Sequence, residues 1–205
     1  MPWYRRYGKV LEALTAADFA DGMDHGDFKT PKHRAFAVLL FYSAVRKQEA
    51  LRSTRESFQL FDDHILFDVG ARLKHGIETP ALYLPLDAPY MSELRTAVES
   101  TQQGERVFPY CKMTGYNIVA RVWKYPHLFR LSRITNFFLS GWTIAQVRSW
   151  TCLSLRALEF YVGIVDTIQM GKSLANLEPR MAESLADRAD LELIDATLRH
   201  LKERV

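Results

Sequence analysis

The chain has 205 residues, 48% apolar and 25% charged, enough for one well-buried domain plus a short appendage and unlike a generally disordered protein. The longest apolar stretch, Ala35 to Val45, falls well short of the ~20 residues a membrane helix needs. The opening MPWYRRYGKV lacks a signal peptide's apolar region, so a cytoplasmic protein with no membrane role is expected. Only Cys111 and Cys152 are present, in unlike surroundings, and the six histidines are scattered. Neither a disulfide framework nor a zinc-ligand spacing follows, and metal-dependent hydrolysis has little support.

The formal charge of +3 is unevenly distributed. Residues 1–162 hold 21 Lys and Arg against 16 Asp and Glu, whereas residues 163–205 hold 6 against 8. A mildly basic body suits a polyanionic partner, because phosphate contacts supply most sequence-independent affinity for DNA. A basic protein with no nucleic-acid role fits the charge equally well.

In chain order, Ala16 to Met23 reads as a helix capped by Thr15 and ended by the Gly-rich acidic turn DGMDHGD. A second helix starts at Pro31, a residue suited to a first turn, and Phe36, Leu39, Leu40 and Ser43 recur at helical spacing, which marks it as central to the core. From Phe58 to Leu86 the period changes. FQLF, HILFDV and ALYLPL are short β-prone runs separated by DD and KHGIETP, which predicts a small antiparallel sheet with Lys74 on or beside its second turn. Pro85 and Pro89 end the sheet, and a helical pattern resumes at Met91. VFPYCKMTG reads as a loop, and Tyr116 to Lys124 as a short helix stopped before Pro126. The next helix, from about His127 to Ser140, places His127 and Arg130 one turn apart on one face and points Leu131, Ile134 and Phe138 inward; Gly141 closes it. Short helices from Thr143 to about Trp150 and from about Ser154 to Tyr161 complete the body. The expected fold class is therefore mainly α with a small antiparallel β-sheet.

Four strings, LLFYSAVRKQEAL, RLKHGIETPALYLPL, YPHLFRLSRITNFFLSG and the closing SWTCLSLRALEFYVG with its tyrosine, carry Arg46, Lys74, the pair His127 and Arg130, and Tyr161 in that order. Each residue suits one task in phosphoryl transfer from DNA to a phenol. Two guanidinium groups, Arg46 and Arg130, are a planar, permanently charged clamp for the non-bridging oxygens. Lys74 can protonate the leaving 5′-oxygen. Tyrosine is a poor nucleophile because its phenol has a pKa near ~10, so Tyr161 needs nearby positive charge and a proton acceptor, for which His127 is the candidate. Each has a plainer competitor: Arg46 as a surface helix residue, Lys74 as an edge charge with His75 beside it, His127 as a helix-start residue, and Tyr161 as one of nine tyrosines, most of which pack.

Taken together, the strings resemble the catalytic domain of the tyrosine recombinases, the phage-type integrases, over roughly residues 10 to 165. FYSAVRKQEAL resembles the first-arginine element, with Arg46 followed by Glu49. PHLFR is similar to the His-x-x-Arg box, and SWTCLSLRALEFY to the ending that carries the tyrosine. The resemblance implies a site-specific recombinase that cuts and rejoins DNA through a 3′-phosphotyrosine, without metal, ATP or cofactor. It further implies double-stranded DNA as partner and a homo-oligomer, four protomers on two duplexes, with C-terminal helix exchange. The expected organisation is a catalytic domain over residues 1–165 and a helical tail over 166–205. In that tail Leu191, Ile194, Leu198, Leu201 and Val205 form one apolar stripe, which folds on its own core or docks on a neighbour.

The pattern departs from the family at Cys152, nine residues before Tyr161, where a His or Trp usually contacts the phosphate; Thr151 stands in place of Gly. A thiol is a weak donor, and losing one transition-state donor costs about 2–4 kcal/mol, unless Trp150 supplies its indole N–H instead. No activating neighbour for Cys152 as a nucleophile is visible. Few residues precede the body, so a separate N-terminal DNA-binding domain is not expected within this sequence, which reads as a catalytic-domain fragment or an unusually small recombinase. Two alternatives accompany this reading: a catalytically weak or silent DNA-binding or assembly protein with the same fold, and a type IB topoisomerase-like enzyme.

Overall fold

Helix α2, Pro31–Ser43, is apolar on nearly every face, and every residue from Ala35 to Ser43 is buried. A helix with no polar side has to be surrounded. It packs against α4 (Met91–Glu99), α6 (His127–Leu139), α3 (Lys47–Arg52), α5 (Lys112–Trp123) and strand β3 (Leu82–Pro85). The Thr30 side chain accepts from the His33 N–H, and Pro31 occupies the first turn, where its missing N–H costs nothing.

This is a computed structural model that describes residues 13–70, 81–159, 161, 162 and 165. The chain divides into two compact units, residues 1–162 and 163–205. Lys74 and the 166–205 tail lie outside the described residues. Among those described, the architecture is mainly helical with one three-stranded antiparallel sheet, as the sequence leads one to expect. No helix among them is long and apolar enough to cross a membrane.

The sheet runs β1 (Phe58–Leu60), β2 (His64–Phe67), β3 in spatial order, with Phe58 opposite Phe67 and Ile65 opposite Leu84. Period-two alternation puts Phe58, Ile65, Phe67, Leu82 and Leu84 on the buried face. The Phe58 and Phe67 rings stack with centroids 4.5 Å apart.

Helix α1, Ala16–His25, opens with a reciprocal capping box: the Asp18 N–H donates to the Thr15 hydroxyl oxygen, and the Thr15 N–H to the Asp18 carboxylate. It runs two residues beyond the expected end at Met23, with Gly22 inside it. A Cβ on Gly22 would sit 2.3 Å from the Trp123 indole, so only glycine allows α5 this approach. Trp123 in turn stacks on Phe19 at 5.5 Å and meets Phe129 edge-on at 4.8 Å, while Phe19 stacks on Phe41 at 3.9 Å. These rings join α1, α2, α5 and α6 into one core. Arg34 adds a polar tie, its Nε donating to both Glu93 carboxylate oxygens at 3.0 Å and its Nη1 to the Met23 carbonyl of α1.

Two other expectations are corrected. Helix α5 starts at Lys112, four residues before Tyr116, because the Cys111 sulfur accepts the Thr114 N–H as an N-cap, a role that loop-like VFPYCKMTG conceals. On α6, Leu131 and Ile134 are fully buried but Phe137, not Phe138, completes the inward face. Phe137 is drawn in by Trp142, whose ring stacks on it at 4.3 Å. Gly141, at φ 83°, supplies the left-handed turn after α6, and α7 (Ile144–Thr151) follows with a Thr143–Gln146 capping box.

Candidate active site

The turn between α2 and α3 is built to present Arg46. Helix α2 ends at Ala44 in the left-handed region, φ 54°, and Arg46 becomes the N-cap of α3. Glu49, one turn later, holds it: its buried carboxylate accepts the Arg46 backbone N–H at 2.7 Å and the guanidinium Nη1 at 2.9 Å. The Arg46 side chain keeps 28% of its surface open against 2% for that of Glu49, so the carboxylate anchors the charge and leaves part of it available.

Arg130 comes from the first turns of α6 and is 3% exposed. Its Nη1 donates to the Ala44 carbonyl, and its Nη2 to the Thr151 carbonyl at 2.9 Å. One side chain therefore satisfies orphan carbonyls at the ends of both α2 and α7. Removing it would leave those acceptors unpaired in a buried setting and would cost more than a surface hydrogen bond.

His127 begins α6 after Pro126. As a residue it is exposed, yet its imidazole has protein atoms packed round it and two arginines close by. Desolvation, then Arg130, then Arg46 bring its pKa down to about 4. The ring is therefore neutral at physiological pH, the state in which a nitrogen can accept a proton. Tyr161, in the helical residues 155–159 and 161–162 that begin after Ser154, is 5% exposed. Burial raises its phenol above the usual tyrosine value, while Arg130 and then Arg46 pull it back. The same two arginines thus act on both the imidazole and the phenol. Four of the sequence-selected residues, Arg46, His127, Arg130 and Tyr161, share one electrostatic neighbourhood; Lys74 lies outside the described residues.

Cys152 caps α7 at its C-terminal end with φ 51°, half-buried, its N–H donating to the Arg148 carbonyl at 2.8 Å. The idea that Trp150 offers its indole N–H to a phosphate meets a correction: that N–H donates to the Ser43 carbonyl at 2.9 Å. Trp150 serves the α2–α3 turn, because α7 packs its indole against the end of α2. Among the described residues, no group of His, Cys, Asp and Glu could hold a metal ion.

Sequence reasoning missed one neighbouring surface. Lys47, next to Arg46, donates its Nζ to the Lys112 carbonyl at 2.8 Å and lies 5.3 Å from the Tyr116 ring centroid. Exposed Lys112, Met113, Tyr116, Arg121 and Lys124 follow along α5. Their spacing was legible only once α5 was known to start at Lys112.

No family model matches the chain, and no curated protein does. Solved structures do. The XerH site-specific recombinase bound to its palindromic difH substrate in a post-cleavage complex matches with TM-score 0.64 and 16% identity, over 83% of this chain and 54% of that one. The XerH pre-cleavage complex with difH gives 0.57 and 16%, over 71% and 47%. The Tn1549 transposon integrase in complex with circular intermediate DNA gives 0.52 and 14%, over 74% and 60%. The chain spans about half the length of these structures. At such identities the likeness is one of fold, and the fold is that of the tyrosine recombinase catalytic domain.

Proposed function

We propose that the protein is a site-specific DNA recombinase or integrase that cuts and rejoins strands through a covalent 3′-phosphotyrosine. The observation that carries this reading is the shared influence of Arg46 and Arg130 on both His127 and Tyr161, within a recombinase fold. Tyr161 Oη attacks the scissile phosphorus, the P–O5′ bond breaks, and the phenolic proton passes to neutral His127. Arg46 and Arg130 stabilise charge on the non-bridging oxygens, and Lys74 protonates the departing 5′-oxygen. Religation reverses these steps, so the bond energy is conserved and no cofactor is consumed. Lys47 and the exposed basic and aromatic side chains of α5 extend a surface suited to a DNA backbone beside Arg46. Four protomers on two duplexes form the proposed working assembly.

A nicked suicide duplex tests the chemistry. The wild-type chain is expected to form a covalent protein–DNA adduct on denaturing gels and Tyr161→Phe to form none, while both bind the duplex equally. Equal adduct from the phenylalanine variant would remove Tyr161 from the role of nucleophile.

Cys152 favours a second reading, a DNA-binding protein with weak or absent cleavage, because the thiol is a poor phosphate donor. Cys152→His separates the two. Histidine is among the side chains that tolerate the left-handed backbone found there. If a missing donor limits cleavage, adduct formation should accelerate by about 30- to 1,000-fold, the rate equivalent of that donor. A variant as inactive as the parent would support the silent protein.

A further inference from the structure

Two successive carbonyls at the end of α2 are gripped from outside the turn, Ala44 by the Arg130 guanidinium and Ser43 by the Trp150 indole. These contacts hold the backbone two and three residues before Arg46, at a point where Ala44 already adopts a left-handed conformation that a non-glycine residue enters at a cost. On the far side of Arg46, Glu49 fixes both its N–H and its guanidinium. The arginine is thus clamped on both flanks.

Resting on the recombinase reading above, we infer that Trp150 is a positioning residue for Arg46, acting through the Ser43 carbonyl without touching DNA. The geometry supports this over a packing role alone. Indole and carbonyl are 2.9 Å apart across 107 residues of sequence, and the acceptor is a helix-end carbonyl, which has no partner within its own helix. The Trp150 ring is held edge-on to Phe137 at 5.6 Å and to Trp142 at 5.7 Å, so it is a stiff lever rather than a swinging one. Its N–H fixes where α2 stops and therefore where the Arg46 guanidinium starts. Helix α7 carries Trp150 and ends at Thr151, whose carbonyl Arg130 also binds, so a single helix end registers both candidate clamp arginines.

The test replaces the N–H while keeping the ring. Trp150→benzothienylalanine substitutes sulfur for the indole nitrogen. Single-turnover adduct formation on the suicide duplex should slow about tenfold, the scale of one lost hydrogen bond, with DNA affinity unchanged. In an Arg46→Lys background the same replacement should have no further effect, because the position it sets has already been lost. An unchanged rate, an equal slowing in both backgrounds, or a loss confined to DNA affinity would overturn the inference while leaving the recombinase reading intact. If the wild-type chain forms no adduct, the recombinase reading fails instead. The inference is then decided by the Arg46 Nε–H resonance in ¹⁵N-arginine spectra of the full chain. Displacement of that resonance in the benzothienylalanine protein supports it, and coincident spectra overturn it.

Discussion

At the residue scale, the neutral His127 imidazole has a thermodynamic consequence. Its folded pKa of about 4 lies below the 6.5 of an unperturbed histidine, so between those values the unfolded chain holds more protons. Stability therefore rises with pH through that window, is fully present above about 6.5, and is lost as pH falls towards 4. Urea unfolding at several pH values should show this slope in the wild type and a flatter one in His127→Gln. Identical slopes would mean that the ring is ordinary. The same depression keeps the His127 imidazole unprotonated in the range where Tyr161, its phenol raised by burial, stays protonated. That the two residues belong together was readable only from order and spacing in the sequence. Their common dependence on Arg130 and Arg46 comes from packing.

At the scale of elements, α6 does most of the organising. It contains no acidic residue, and it carries His127, Arg130 and Arg133 on successive turns, the last with its guanidinium 4.8 Å from the Phe137 ring centroid and 5.5 Å from that of Tyr42. Its Pro126 start and its Gly141 stop are local signals, and the sequence located the helix well. Helix α1 teaches the opposite lesson. Glycine inside a helix is a local weakness, yet Gly22 is the residue that lets the Trp123 indole approach α1. Gly22→Ala should lower stability by about 1–3 kcal/mol through overpacking, outweighing the ~1 kcal/mol that alanine's helix propensity contributes. Chemical denaturation measures this. A more stable variant would show that Trp123 can move aside, in spite of its stacking on Phe19 and Phe129.

At the scale of the whole molecule, the uneven charge matters more than its sum. Lys47 and Lys112 lie beside the arginine that the proposed chemistry places on the phosphate, and burial followed by Lys112 lowers the Lys47 pKa. If this face meets the DNA backbone, Lys47→Gln and Lys112→Gln should each weaken binding similarly for all sequences. Each should also reduce the slope of log affinity against log salt by about 1, as expected for the loss of one phosphate contact. Fluorescence anisotropy over a salt series is the measurement. A slope equal to wild type would place the duplex elsewhere.

Sequence alone determined the helical class, the three short strands, the central α2 and the candidates Arg46, His127, Arg130 and Tyr161, because periodicity, caps and motif spacing are local properties. Tertiary structure decided that the glycine inside α1 lies under the Trp123 indole and that the Trp150 N–H belongs to Ser43. Each of those outcomes depends on a partner distant in sequence: an indole over a glycine, a donor meeting a helix-end carbonyl. Such partners exist only after the chain has folded, so no local pattern records them.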